Sequence, residues 1–148
     1  MIVAVGVLNL KETNSISTLR TAEHFGVRRV FLIGDALKHV EKQCVSCHRH
    51  MLIKRFNTEE NFITYIRQQG YKLILIEETE NSNNIVNYEF PNKCVIMSGR
   101  EETGFSEYLL KEAEGIVHIP CVGFVKCMNT SAAFAIAMYK FFEQKVLK

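Results

Sequence analysis

Strand-length apolar runs alternate along this chain with segments of helical spacing, and that alternation restricts the fold more than any other feature. Ile2–Leu8, Arg29–Ile33, Leu73–Ile76, Cys94–Met97 and Ile116–Ile119 are dominated by Val, Ile, Leu and Phe. None shows the strict polar alternation of a strand with one wet face, so both faces need cover. Between them lie helical patterns. Asn14 is placed to cap a helix running through His24, with Gly26 as its stop. Ala36 to Gln43 reads as a short helix, and Met51-Leu52-Ile53 as a weaker strand. Glu59 to Gln69 carries Phe62, Ile63 and Ile66 on one face and stops at Gly70. Asn81 to Asn84 reads as a surface loop. Ser106 caps a helix from Glu107 to Glu114 that Gly115 ends, and Asn129 to Lys148 forms the last helix. Strands apolar on both faces and separated by helices predict an α/β layered fold with a mainly parallel sheet. No repeat or linker divides the 148 residues, so residues 1–148 are expected to form one domain.

In an open parallel sheet, ligands bind beyond the carboxyl ends of the strands. A dinucleotide fold would place a Gly-rich turn after the first strand, but Leu8-Asn9-Leu10-Lys11-Glu12-Thr13-Asn14 contains no glycine, and no phosphate-cradling P-loop is present. The Gly-bearing loops at 99–104 and 121–123, each at a strand exit, are the ligand candidates instead. Net charge is +2, too small to signal nucleic-acid binding alone, although Arg28-Arg29, His48-Arg49-His50 and Lys54-Arg55 are local basic clusters. Met1 leads straight into the first strand with no basic leader or cleavage site, and no segment has membrane-span length. A cytoplasmic protein without membrane association is the expectation, with its five cysteines as thiols.

Several residues carry chemistry. Cys44-Val45-Ser46-Cys47-His48 has the C-x-x-C-H spacing of haem attachment and the Cys/His content of a zinc site. Haem attachment requires export, and a structural zinc needs a second ligand pair that the scattered Cys94, Cys121 and Cys127 do not supply. A haem or zinc protein is therefore the remote alternative, and no metal is expected. Arg20 lies one turn into the first helix, on the face of Ile16, directed toward the ligand end of the sheet, toward a neighbouring subunit, or toward a local carboxylate such as Glu23. Glu101 stands between Gly99 and Gly104. Cys127 has no His/Asp partner identifiable along the chain.

Taken together, three segments resemble the SpoU branch of the SPOUT RNA methyltransferases, especially the tRNA guanosine 2′-O-methyltransferase group. They are Asn14 to Ala22, followed by Phe25-Gly26-Val27; Gly99-Arg100-Glu101-Glu102-Thr103-Gly104-Phe105-Ser106; and Ile119-Pro120-Cys121-Val122-Gly123 with Cys127-Met128-Asn129-Thr130-Ser131-Ala132-Ala133. The resemblance covers nearly the whole chain. Two positions depart from the family pattern: Ile16 replaces a glycine, and Cys127 replaces a serine, exchanging a strong hydroxyl donor for a weak thiol.

The resemblance implies a parallel sheet whose C-terminal segment threads a trefoil knot, with S-adenosylmethionine held bent inside it. Ile76, Gly99, Ile119, Cys127 and Met128 would hold the cofactor. Arg20 would orient and activate a ribose 2′-hydroxyl, acting through its charge because arginine stays protonated. Asn14 belongs to the same motif, Asn129 would anchor loop or substrate, and Glu101 would shape the second loop. The implied protein is a homodimer with its site at the subunit interface. Its last helix, with Phe134, Ile136, Ala137, Phe141 and Phe142, suits both core packing and dimer contact. RNA is the implied partner, tRNA before rRNA. No appended RNA-binding domain is apparent, so Arg28, Arg29, Arg49, Lys54, Arg55 and Lys126 would hold it. A SPOUT-fold RNA-binding protein with impaired catalysis is the nearer alternative.

Overall fold

The computed structural model describes residues 2–38, 47–125 and 127–147. Its strands are β1 (Ile2–Val7), β2 (Arg29–Ile33), β3 (Leu52–Phe56), β4 (Lys72–Ile76), β5 (Asn83–Asn84), β6 (Lys93–Ser98) and β7 (Gly115–His118). The helices are α1 (Glu12–His24), α2 (Glu59–Gln68), α3 (Glu107–Glu112) and α4 (Thr130–Lys145), with a short 3₁₀ turn over Cys47–His50. All strands pair in parallel, in the order β3-β2-β1-β6-β4-β7-β5. The chain therefore builds outward from β1 to β3, crosses back, and builds the other half of the sheet from β4 onward. That reversal creates a crevice at the carboxyl ends, where open α/β sheets bind ligands.

Leu73, Ile74 and Leu75 are all fully buried, and because successive strand residues face opposite sides, β4 must be covered on both. Helix α2 packs on β2, β3 and β4, while α4 packs on β6 and β4 and against α1. Under α2, Phe31 meets Phe56, Phe62, Tyr65 and Tyr71 at ring separations of 5.7–6.1 Å. Such edge and tilted contacts add to area burial. Helix α4 buries Phe134, Ala137, Met138 and Phe141 and leaves Ile136 and Tyr139 exposed.

Most predicted elements are present, with local differences. Asn14 does not cap α1: the helix begins at Glu12, and its N-cap residue Lys11 makes no side-chain bond. Ala36 to Lys38 form a turn, and the rest of the predicted Ala36–Gln43 helix lies outside the described residues. The Asn81–Asn84 segment contains β5, paired with β7 at Asn83–Val117 and Asn84–His118. Gly115 opens β7 rather than ending α3, which stops at Glu112. Ser106 does cap α3, accepting from Leu109 N–H at 3.2 Å, and Asn129 caps α4 through Ser131 and Ala132 N–H at 3.0 and 3.2 Å.

Candidate cofactor cavity

A cavity of about 640 Å³ opens at the carboxyl ends of β4, β6 and β7. All five residues expected to hold a cofactor line it: Ile76 closes β4, Gly99 follows β6, Ile119 follows β7, and Cys127 and Met128 precede α4. Ala133 adds apolar surface, while Glu77, Glu78, Thr79, Glu80, Arg100, Glu101, His118 and Thr130 add polar groups. This mixture of an apolar slot with a few polar groups is typical of small-molecule sites.

The loop at 99–104 is held closed by mutual backbone bonds, Arg100 N–H to Gly104 O at 3.0 Å and Gly104 N–H to Arg100 O at 2.9 Å. Gly104 has φ +63°, and a Cβ there would come 2.6 Å from Glu77 Oε2. The left-handed backbone demands glycine, whereas the Glu77 carboxylate, at the end of a flexible side chain, could swing aside. At Gly99 the same carboxylate oxygen and Gly104 Cα each lie 3.0 Å from where a Cβ would be. Burial pushes the Glu77 carboxyl above its ordinary value; the Glu78 N–H partly offsets this, and the Glu78 charge adds to it.

Glu101 leaves this loop to join a web that ties three distant segments together. Its Oε1 accepts from Lys11 N–H at 3.0 Å and from Asn14 Nδ2 at 2.5 Å. Asn14 Oδ1 in turn accepts from Asn129 Nδ2 at 3.1 Å, while Ser131 Oγ donates its one proton to Asn129 Oδ1 at 2.7 Å. Thr130 Oγ1 donates to Gly99 O at 3.2 Å. Partial burial alone would raise the Glu101 carboxyl, but the bonds from Asn14, from its own backbone and from Lys11 N–H, with the Lys11 charge, hold it below its usual range. So Asn14, Glu101 and Asn129 meet, although they stand far apart in sequence.

Arg20 does not join them. It is exposed on α1, outside the cavity wall, and makes no hydrogen bond or ion pair among the described residues, including to Glu23. Of the basic residues, Arg55 is committed to structure. Its guanidinium donates to the carbonyls of Gly34, Ala36 and Leu37 at 3.0, 2.6 and 2.9 Å. Arg29 donates to Tyr71 Oη at 2.9 Å and Arg28 to His50 O at 3.2 Å. Lys126 lies outside the described residues, as do Cys44 and the side chains of Cys47 and His48. Cys94, Cys121 and Cys127 are free thiols. Burial pushes the Cys94 thiol up to about 12, whereas Cys121 and Cys127 are exposed.

Sequence reasoning missed Glu77, Thr79 and His118 on the cavity wall. Their only signal was position, just after or at the end of strands whose neighbours were chosen. Among the described residues no helix is long and apolar enough to cross a membrane.

The SpoU rRNA Methylase family model matches residues 2–139. The tRNA (guanosine(18)-2'-O)-methyltransferase of Borreliella burgdorferi is 31% identical over 128 residues, covering 85% of this chain and 59% of that protein. The chain thus spans less than two thirds of that relative's length. Among solved structures, the A. aeolicus TrmH/SpoU tRNA modifying enzyme superposes with a TM-score of 0.82 at 22% identity, over 97% of this chain and 74% of that one. The AdoMet-bound rRNA methyltransferase from Sinorhizobium meliloti gives 0.81 at 21% identity, over 96% and 55%. At these identities the superpositions establish the fold, and the family match covers nearly all of the chain. This chain belongs to the SpoU rRNA methylase family.

Proposed function

We propose that this chain is an S-adenosylmethionine-dependent RNA methyltransferase that modifies a ribose 2′-hydroxyl, in tRNA before rRNA. The observation that carries this reading is the convergence of Ile76, Gly99, Ile119, Cys127 and Met128 on one cavity. The cavity also fits the cofactor's charge. Glu77, Glu78 and Glu80 line it with no ion-pair partner among the described residues, which suits a sulfonium cation. Ile76, Ile119 and Met128 give an apolar slot for adenine, and buried Gly99 lets backbone approach it closely. When bound, the cofactor supplies an electrophilic methyl group on a sulfonium leaving group, so the protein's task is to orient the acceptor.

Arg20 performs that task in this reading, fixing the 2′-hydroxyl and stabilising its developing charge through a permanent positive charge. Its exposure and its place outside the cavity wall support a site completed by a second copy of the chain. Exposed Phe124, Val125, Ile136 and Tyr139 offer the apolar surface for such a homodimer. The Glu101–Asn14–Asn129 web sets the relative positions of the Arg20 helix and the cofactor loops. The segment from β7 to α4 threads a trefoil knot, residues 1–148 act as one domain, and the protein works in the cytoplasm. RNA is held by Arg28, Arg29, Arg49 and Lys54, with Arg55 restricted by its carbonyl bonds.

Isothermal titration with S-adenosylmethionine, followed by transfer of labelled methyl to tRNA transcripts, tests the proposal. Binding at one site per chain and a 2′-O-methylated nucleoside in the product are expected. Absence of binding overturns the reading of the cavity. Binding and RNA association without transfer would instead select the impaired RNA-binding protein.

A further inference from the structure

A second hollow, apart from the cofactor cavity, lies at the edge of the sheet between β3 and α2. Its volume is about 360 Å³, within the size range of small-ligand pockets. In α2, Asn61, Thr64, Tyr65 and Gln68 recur at i, i+3, i+4 and i+7, one stripe of a helix, and all four line it. The end of β3 and the following Asn57 form the opposite wall. Tyr65 is half-buried: its ring packs against Phe31 and Phe56 at 5.7 and 5.2 Å, and Lys54 Nζ stands 4.8 Å from its centre. Lys54 forms no ion pair among the described residues, and no carboxylate lines the pocket. The side-chain amides of Asn57, Asn61 and Gln68 are exposed and make no hydrogen bond among the described residues.

We propose that this pocket takes an unpaired nucleotide of the RNA substrate, with its base on the Tyr65 ring and its phosphate at Lys54. This rests on the reading of the chain as an RNA-modifying enzyme, and it narrows the substrate to RNA with a single-stranded nucleotide near the target. Three features select the ligand. A free cation with no acid beside it asks for an anion. An aromatic face covered only by a mobile ammonium asks for a flat ring, and the cation–π contact of an exposed lysine is weak enough to give way. Amides that both donate and accept match the mixed edge of a nucleobase, which is open only when the base is unpaired. Helix α2 also ties the pocket to the cofactor loop. Glu59, in its first turn, accepts from Ser106 Oγ at 2.5 Å and pairs with Arg100 at 3.5 Å. Glu59 and Asn61 lie on opposite sides of that turn, so pocket and loop stand about one helix width, roughly 10–12 Å, apart. The occupant is therefore a neighbour of the target nucleotide and not the target itself.

The test measures binding of the full chain to a tRNA transcript, to a blunt RNA duplex and to heparin, across a salt series. Asn61→Ala and Gln68→Ala are each expected to weaken the transcript about two- to tenfold with an unchanged salt slope, and to leave duplex and heparin binding as they were. Tyr65→Leu should weaken the transcript about tenfold or more, and Tyr65→Phe, which keeps the stacking face, should restore it. Lys54→Ala should instead reduce the salt slope by about one, the signature of a phosphate contact. Asn61 and Gln68 are exposed, so they decide the matter even if Tyr65→Leu fails to fold. Weakening of heparin or duplex to the same extent as the transcript would overturn the assignment to a base. If the unmutated protein methylates the transcript and Asn61→Ala and Gln68→Ala bind it equally well, this inference alone fails. If the unmutated protein binds no RNA, the RNA reading fails and takes this inference with it.

Discussion

Asn14 uses both ends of its side-chain amide, donating to Glu101 and accepting from Asn129, so one buried residue joins α1, the 99–104 loop and the start of α4. Replacing it by alanine leaves Glu101 with only the Lys11 N–H from α1's start and strips Asn129 of its acceptor. Asn14→Ala is expected to cost about 1–3 kcal/mol in urea unfolding. The Glu101 carboxyl sits below its ordinary value of 4.5 in the fold. A depressed carboxyl stabilises the native state above its unfolded value, and that contribution disappears as pH falls through the folded one. The stability advantage of the unmutated protein over Glu101→Gln should therefore be full at neutral pH and shrink in acid; a gap that widens below pH 4.5 would contradict the web. Gly104→Ala puts a Cβ on left-handed backbone and should destabilise by about 1–3 kcal/mol in the same assay, with the Glu77 carboxylate shifting to make room.

At the scale of elements, Arg55 separates structure from RNA contact. It holds the carbonyls of the turn after β2, which includes Leu37 at φ +45°, whereas neighbouring Lys54 stacks 4.8 Å from the Tyr65 ring centre and is exposed. Arg55→Ala should lower stability by about 1–3 kcal/mol, and Lys54→Ala should lower RNA affinity while leaving the melting temperature in place. The contrast between readable and unreadable elements has the same origin. β1, β2, β4 and β6 were legible to within a residue or two because burial on both faces removes polar interruptions. β3 looked weak because Lys54 and Arg55 break its apolar run, as suits an edge strand. β5, two asparagines held by pairing to β7, carries no local signal at all. Asn14 was misjudged as a cap because local rules favour asparagine there, while its real partner lies 87 residues away.

For the whole molecule, the strand order was illegible because parallel pairing is decided by contacts remote in sequence, while the layered class followed from periodicity alone. The cavity was legible in its loops but not in its full wall: motif residues mark Gly99, Ile119 and Met128, yet Glu77, Thr79 and His118 are brought there only by the sheet. The exposed apolar residues of α4 and the preceding loop make the proposed homodimer testable. Ile136→Glu should shift the mass seen by sedimentation equilibrium toward one chain, and an unchanged mass would remove that surface from the interface. RNA affinity should fall steeply between low and high salt if phosphate contacts by Arg28, Arg29, Arg49 and Lys54 dominate it. The central claim is that this cavity and Arg20 together transfer a methyl group to a ribose hydroxyl. The most direct measurement is nucleoside mass analysis of tRNA incubated with S-adenosylmethionine and either the unmutated protein or Arg20→Ala. The account predicts a 2′-O-methylnucleoside from the former and at least about a hundredfold less from the latter. A methyl group on a base, or equal ribose methylation by both proteins, would contradict it.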